Sequence, residues 1–354
     1  MEISFRKADR LKDHPDESSL GFGTRFTDYM FIMDYNPEKG WHAARIEPYG
    51  PMEMEPSTMV LHYGQAIFEG MKAYRTASGA IQLFRPEENL KRLNRSGQRL
   101  CMPALDEEFV LQALTELLKI EKSWVPGAPG TSLYIRPTII ATDPYIGLRA
   151  SHTYRFFIIL SPVGAYYPEG FNPVKIWVTS QYVRAVRGGV GEAKTAGNYA
   201  ASLYATELAH KEGYTQVMWL DGVELKYIEE VGSMNIFFKL GDELVTPMLN
   251  GSILSGVTRD SVISLAESWG TKVTQRKISI DEIYAAHERG ELKEVFGSGT
   301  AAVISPVGHI KYDGREITIG DGGVGPISAR LFKELMDIQY GRAADPFGWV
   351  MPLE

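Results

Sequence analysis

The sequence predicts an α+β protein of two domains, and three observations carry that reading. The chain has 354 residues, more than one domain of roughly 100–200 residues uses. Strand-like and helix-like segments mix along it without regular βαβ alternation, which favours an α+β arrangement over a doubly wound sheet. A Pro- and Gly-rich segment, Ser161 to Lys175, follows the apolar run TYRFFIIL, and its three prolines and two glycines suit neither helix nor sheet interior. The expected boundaries are a smaller N-terminal domain over 1–162, a connection over 163–173 and a larger C-terminal domain over 174–354. Tyr166, Tyr167 and Phe171 make that connection too aromatic for a solvated spacer, so it is expected to pack.

In the first half, Met59–Tyr63 and Ile81–Phe84 read as short strands. Pro86–Leu100 reads as a helix with Leu90, Leu93 and Leu100 on one side. Asp106–Glu121 is a clearer helix, since Phe109, Leu111, Leu114, Leu117 and Leu118 follow the 3.6-residue period. Ser132–Ile140 is β-branched and aromatic and stops at the turn signal TDP. The second half opens with a strand over Val174–Thr179 and a glycine cluster, RGGVGEAKTAGN. A helix from Tyr199 to Glu212 follows, with Asn198 as N-cap and Gly213 as its C-terminal glycine. Then come a strand over Gln216–Leu220, a turn at Asp221-Gly222 and strands through Glu224–Leu240. Asn250–Gly256 is a loop ahead of a helix over Val257–Trp269. Ser279 and Glu282 form a capping-box pattern before Ile283–Arg289. Glu294–Pro306 holds GSGT between apolar runs, and Ile327–Tyr340 is an amphipathic helix.

Composition narrows the function classes. Hydrophobic residues make up 44% and charged residues 23%, which rules out a disordered chain. Lys and Arg total 37 against 44 Asp and Glu, a formal charge of −7. A mildly acidic chain lacks the basic face that nucleic acid requires. The single cysteine, Cys101, can form neither an internal disulfide nor a Cys-rich zinc site. The seven histidines show no H-E-x-x-H spacing, so no metal centre is expected. The start, MEISFRKADRLKDHPDESS, carries charges throughout, unlike a secretory leader. No apolar run approaches the ~18 residues of a membrane span. These features lead to the expectation of a soluble cytoplasmic enzyme with no membrane or nucleic-acid partner.

Several segments could carry chemistry. Lys194 sits among Gly188, Gly189, Gly191, Ala193, Ala196 and Gly197, small residues that let backbone and a flat ligand approach closely. A lysine desolvated there becomes a nucleophilic amine suited to imine chemistry. The rival reading is a phosphate-binding loop, G-x-x-x-x-G-K-[ST], but Ala193 stands where that pattern needs glycine. GSILSGVT, Gly251–Thr258, leads into a helix whose first amides and dipole suit phosphate. GSGTAA, Gly297–Ala302, offers a second set of backbone donors. Glu229 and Glu230 point to opposite faces of a strand, so one of them tends inward and needs a partner.

Taken together, EAKTAGNYAAS, EEVGSMNIF, GSILSGVTRD, FGSGTAAV, LHYGQAIFEGMKAYR and SLYIRP closely resemble the branched-chain aminotransferases, fold-type IV enzymes that use pyridoxal 5′-phosphate. The match runs in order from Phe22 to Gly341. It implies a two-domain fold-type IV arrangement whose larger C-terminal domain contains a pseudo-barrel. By the resemblance, Lys194 forms the Schiff base and shuttles the proton, and Glu230 faces the pyridine nitrogen, leaving Glu229 a structural role. Tyr199 bonds the cofactor O3′, and Arg92, in NLKRLNRS, clamps the phosphate with Val257, Thr258 and Thr300.

The same resemblance assigns Phe22, Tyr63, Phe68 and Tyr134 to the aromatic walls of a pocket for Leu, Ile and Val, where burial is worth about 0.8 kcal/mol per CH₂. Thr300 and Ala301, with Tyr134, hold the substrate α-carboxylate. Arg136 meets the distal carboxylate of glutamate. Ile146 and Leu148 match positions through which an opposing subunit closes the pocket, implying a homodimer, and Gly164–Tyr167 match a loop covering substrate. The implied reaction converts a branched-chain L-amino acid and 2-oxoglutarate into the branched 2-oxo acid and L-glutamate. D-amino acid aminotransferases and aminodeoxychorismate lyases share the scaffold and stand as the alternative; a nucleotide-binding module is a third reading. Some family members carry Cys-x-x-Cys after the GSGT turn; here Ala302 and Ser305 occupy those positions, so no thiol switch is possible there. Cys101 receives no role.

Overall fold

The computed structural model describes residues 1–164 and 171–353. Tyr166 and Tyr167, expected in the covering loop, lie outside the described residues. The chain divides into two units. The first comprises Met1–Tyr166, Ala193–Ala196 and Asp337–Glu354; the second comprises Tyr167–Glu192 and Gly197–Met336. This differs from a single cut over 163–173. The final segment returns to the first unit because its last strand pairs with Ile81–Phe84 and the buried Gln82 amide donates to the carbonyls of Ile338 and Gln339.

Among the described residues the first unit has a nine-stranded sheet and three α-helices. Its strands are β1 (Ser4–Phe5), β2 (Tyr29–Asn36), β3 (Gly40–Pro48), β4 (Ala66–Phe68), β5 (Met71–Arg75), β6 (Ile81–Phe84), β7 (Ser132–Ala141) and β8 (Tyr154–Val163), plus the last strand, β18 (Val350–Pro352). The order is β1-β3-β2-β8-β7-β5-β6-β18, with β4 also on β7. Alternation sets the faces: on β8, Tyr154, Phe156, Ile158 and Leu160 are buried between half-exposed neighbours. Against that face packs α3 (Glu107–Ile120), which buries Val110, Leu114, Leu117 and Leu118 and is capped by the Asp106 carboxylate accepting from the Phe109 amide. The helix expected at 86–100 is α2 (Pro86–Arg99). Met59–Tyr63, expected as a strand, is instead the short helix α1, closed by Gly64 in the left-handed region at φ 60°. Five residues are too few for periodicity to separate the two, and the glycine stop decides.

The second unit is built on a closed ring. Its strands are β9 (Val174–Thr179), β10 (Gln216–Leu220), β11 (Ile228–Val231), β12 (Met234–Leu240), β13 (Glu243–Pro247), β14 (Lys272–Arg276), β15 (Leu292–Gly299), β16 (Val303–Tyr312) and β17 (Arg315–Thr318). The pairings β9–β10–β11–β12–β15–β16–β9 close a six-stranded barrel. This is the pseudo-barrel expected of the larger domain. Trp219, Phe237, Phe238 and Phe296 are fully buried, with Phe237 stacked on Phe296 at 5.1 Å. Around the ring lie α4 (Ala196–Lys211), α5 (Val257–Ser268), α6 (Ile280–Glu288) and α7 (Pro326–Gln339). Asn198 is not the cap of α4: the helix starts two residues earlier, and the Asn198 amide donates to the Val190 carbonyl at 2.8 Å. Ser279 does cap α6, accepting from the Glu282 amide. Among the described residues no helix is long and apolar enough to cross a membrane.

Candidate active site

In the first unit the backbone around Lys194 is held from two sides. The Phe68 amide donates to the Lys194 carbonyl at 3.0 Å, and the Thr195 hydroxyl donates to the Ala66 carbonyl at 2.8 Å. From α2, Ser96 Oγ accepts the Lys194 amide at 2.9 Å. The half-buried Lys194 Nζ lies 5.0 Å from the Phe68 ring centroid, a cation–π approach. Arg92 is one turn before Ser96 on α2 and so shares its face. Its guanidinium is buried against Glu69, Nε to Oε1 at 2.7 Å and Nη2 to Oε2 at 2.9 Å. Glu69 also accepts from Asn89 Nδ2 at 2.9 Å and the Gly70 amide at 3.0 Å. Complete burial pushes the Glu69 carboxyl up, but the Arg92 charge, with help from Lys194 and Asn89, outweighs it and leaves it below the ordinary value.

Strand β7 sorts its residues by parity. Leu133 and Ile135 enter the core, so Tyr134 and Arg136 share the opposite face. Arg136 Nη2 donates to the Tyr134 hydroxyl at 3.1 Å, and the guanidinium lies 4.7 Å from the Phe68 ring and 5.2 Å from that of Tyr134. Its Nε is buried with no hydrogen-bond partner among the described residues. Phe22 meets Tyr134 edge-on at 5.0 Å. Gly70 is required here, since a Cβ at that position would stand 2.0 Å from the Tyr134 hydroxyl. Lys72 lies directly across from Tyr134, and burial pulls its ammonium down to about 8. Phe22, Phe68, Tyr134 and Arg136 thus form one cluster. Tyr63, also assigned to the aromatic wall, is 40% exposed, and its hydroxyl donates to the Ile146 carbonyl. Ile146 and Leu148 are themselves 68% and 84% exposed.

In the second unit both glutamates of β11 are buried, on opposite faces of the strand. Glu229 accepts from Asn250 Nδ2 at 3.1 Å and from the Ser252 hydroxyl. Glu230 accepts from the Leu254 amide at 3.0 Å and from Asn235 Nδ2 at 3.4 Å, and it pairs with Arg184 Nε at 2.6 Å. The loop over 250–254 is therefore tied to both carboxylates, and it leads into α5. That helix begins at Val257 and Thr258 with Gly256 as N-cap, so no side chain caps the turn. A Cβ on Gly256 would stand 2.0 Å from Asn235 Oδ1. Tyr199 lies in the first turn of α4. Thr300 and Ala301 form the turn between β15 and β16, followed by Val303 at φ 61°. A β-branched residue in that region is strained by ~1–2 kcal/mol.

Sequence reasoning missed Glu69, Lys72, Ser96, Arg184 and Asn235. Two had a signal: Glu69 and Lys72 are charges inside the apolar run AIFEGMKAY. Arg184 and Asn235 had none, because their partners arrive through the β11–β12 pairing and the 250–254 loop.

The family profile of amino-transferase class IV matches residues 66–310. Branched-chain-amino-acid transaminase 1 of Bacillus subtilis (strain 168) is 59% identical over 350 residues, 99% of this chain and 98% of that protein. The solved branched-chain amino acid aminotransferase of Escherichia coli matches with a TM-score of 0.77 and 28% identity, over 92% of this chain and 99% of that one. The branched-chain aminotransferase of the archaeon Thermoproteus uzoniensis, solved with norvaline, matches with a TM-score of 0.77 and 26% identity, over 92% of this chain and 100% of that one. With a buried arginine–carboxylate pair beside a glycine-flanked lysine, a six-stranded barrel and these likenesses, the chain belongs to the class IV aminotransferases, in the branched-chain-amino-acid aminotransferase family.

Proposed function

We propose that the protein transfers the amino group of Leu, Ile or Val to 2-oxoglutarate, giving the branched 2-oxo acid and L-glutamate. The observation that carries this reading is Arg136: a cation whose buried Nε has no hydrogen-bond partner among the described residues, set against the rings of Phe68 and Tyr134. Such a site suits two substrates in turn. Aromatic walls from Phe22, Phe68 and Tyr134 favour a branched aliphatic side chain, and the guanidinium meets the distal carboxylate of glutamate or 2-oxoglutarate.

The residues fit pyridoxal 5′-phosphate. A buried arginine, a helix start whose cap has no side chain and a turn hydroxyl are donors suited to a phosphate dianion, and a buried carboxylate suits a protonated pyridine nitrogen. When bound, this cofactor supplies an electron sink for the substrate Cα. Arg92, Val257, Thr258 and Thr300 hold the phosphate, Tyr199 orients the ring through O3′, and Glu230 holds the proton at the pyridine nitrogen. Lys194 is the covalent anchor and moves the proton at the substrate Cα. Thr300 and Ala301, with Tyr134, orient the substrate α-carboxylate.

The exposed Ile146 and Leu148 suit contact with a second copy of the chain, giving a homodimer. Tyr63, bonded to Ile146, links that lip to the proposed aromatic wall of Phe22, Phe68 and Tyr134. The expected location is the cytoplasm.

The experiment is an amino-donor panel with 2-oxoglutarate, read with the visible spectrum. L-Leu, L-Ile and L-Val turn over in a yellow protein, D-Ala and aminodeoxychorismate do not, and Lys194→Ala loses both colour and turnover. Full turnover by Lys194→Ala overturns the assignment.

A further inference from the structure

Arg184 precedes the glycine-rich segment and is 9% exposed. Its Nε is 2.6 Å from Glu230 Oε2. Its Nη2 donates to the Gly191 carbonyl at 3.2 Å and to the Ser252 carbonyl. One guanidinium thus touches a buried carboxylate, the glycine-rich loop and the loop leading into α5. Those loops are already in close contact, since a Cβ on Gly191 would stand 2.3 Å from the Ser252 oxygen. The neighbouring carboxylate is treated differently: Glu229 is met by the neutral amide of Asn250 and the hydroxyl of Ser252.

A buried carboxylate and a pyridine nitrogen compete for one proton. Desolvation alone favours the neutral pair, with the proton on the carboxyl oxygen and the nitrogen bare. A guanidinium, which keeps its charge at every working pH, reverses that preference when it sits against the carboxylate. We infer that Arg184 is a positioning residue that keeps Glu230 ionised and aimed, and so decides that the shared proton resides on the ring nitrogen. This rests on the proposed role of Glu230 toward the cofactor. Lysine can supply the charge but not the planar fork that also holds the Gly191 and Ser252 carbonyls.

The test uses holoenzyme loaded with pyridoxal phosphate labelled with ¹⁵N in the ring. In the native protein the nitrogen resonance stays at its protonated position from about pH 6 to about pH 9, as a permanently paired carboxylate requires. In Arg184→Gln it moves toward the unprotonated position, and kcat falls about 100-fold while KM for L-Leu changes little. Arg184→Lys restores the protonated resonance. A protonated signal retained in Arg184→Gln overturns the inference. If Arg184→Gln does not fold, the native titration decides, because a nitrogen that loses its proton within that range also overturns it. A native protein with no visible band dependent on Lys194 would instead defeat the function reading, so the two failures are distinguishable.

Discussion

Glu69 and Arg92 form a two-pronged ion pair with the carboxylate fully buried and the guanidinium almost so, at 2.7 and 2.9 Å. Such a pair contributes less to net stability than to orientation, because desolvation offsets most of the attraction. Its loss is nevertheless severe, since one charge is left buried without its partner. Glu69→Gln is expected to destabilise the apo-protein by about 3 kcal/mol and to weaken its retention of inorganic phosphate and of pyridoxal phosphate. Urea unfolding and equilibrium dialysis read the two effects. An unchanged unfolding midpoint would show that the pair is dispensable.

Gly70→Ala tests the contact beneath Tyr134. The added Cβ would overlap the hydroxyl at 2.0 Å, so the ring must swing away and its bond from Arg136 breaks. The expected loss is about 1–3 kcal/mol of stability from overpacking, with KM rising for both substrates. Full kinetics on L-Leu and 2-oxoglutarate check it, and native KM values in a fully folded variant would contradict the placement of Tyr134.

Arg136→Gln separates the two half-reactions. Loss of a charge-assisted contact costs about 1.5–3 kcal/mol, or ten- to hundred-fold. That loss is expected in kcat/KM for 2-oxoglutarate and L-glutamate, while the single-turnover half-reaction with L-Leu keeps most of its rate. Equal losses on both sides would remove Arg136 from carboxylate recognition.

A pH effect on stability comes from Glu121, far along the chain from Lys194. Burial, aided by the nearby Asp28 charge, pushes its carboxyl up to about 7; the Tyr29 amide, Thr27 hydroxyl and Lys12 charge pull the other way. Asp28 in turn is bonded by the Lys12 amide and Trp124 Nε1. The folded state thus holds a proton that the unfolded chain, at its ordinary carboxylate value, has already lost. Stability therefore falls as pH rises from about 4.5 to about 7 and then levels, by on the order of 2 kcal/mol. Glu121→Gln flattens that slope. Unfolding midpoints of both proteins across the range provide the check, and parallel curves would refute it.

The sequence made most of the scaffold legible where signals were local. Strand β9 and the start of α5 fall where punctuation by Gly, Pro and periodicity put them, and Ser279 caps its helix as its spacing predicts. Local signals failed at Met59–Tyr63, a run too short to have a period, and at Asn198, which falls in the first turn of α4 because that helix begins at Ala196. Lys194 stood out because its neighbours are unusually small, and the Glu229–Glu230 pair because a strand turns one of two adjacent side chains inward; Arg92, and the choice of Glu230 over Glu229, came only through the family resemblance. The groups that hold them, Ser96, Glu69 and Arg184, act across 98, 23 and 46 positions of chain, a distance over which residue spacing carries no information.

Strand β18 lies antiparallel on β6, with Met351 opposite Leu83. During synthesis this edge of the first sheet stays open until Val350–Pro352 has been made, long after β1–β8 have emerged. The unpaired rim of β6 is a template for pairing with other nascent chains in that interval. A protein expressed without its closing strand would expose that rim permanently, and its failure would appear as insoluble product rather than as weak catalysis.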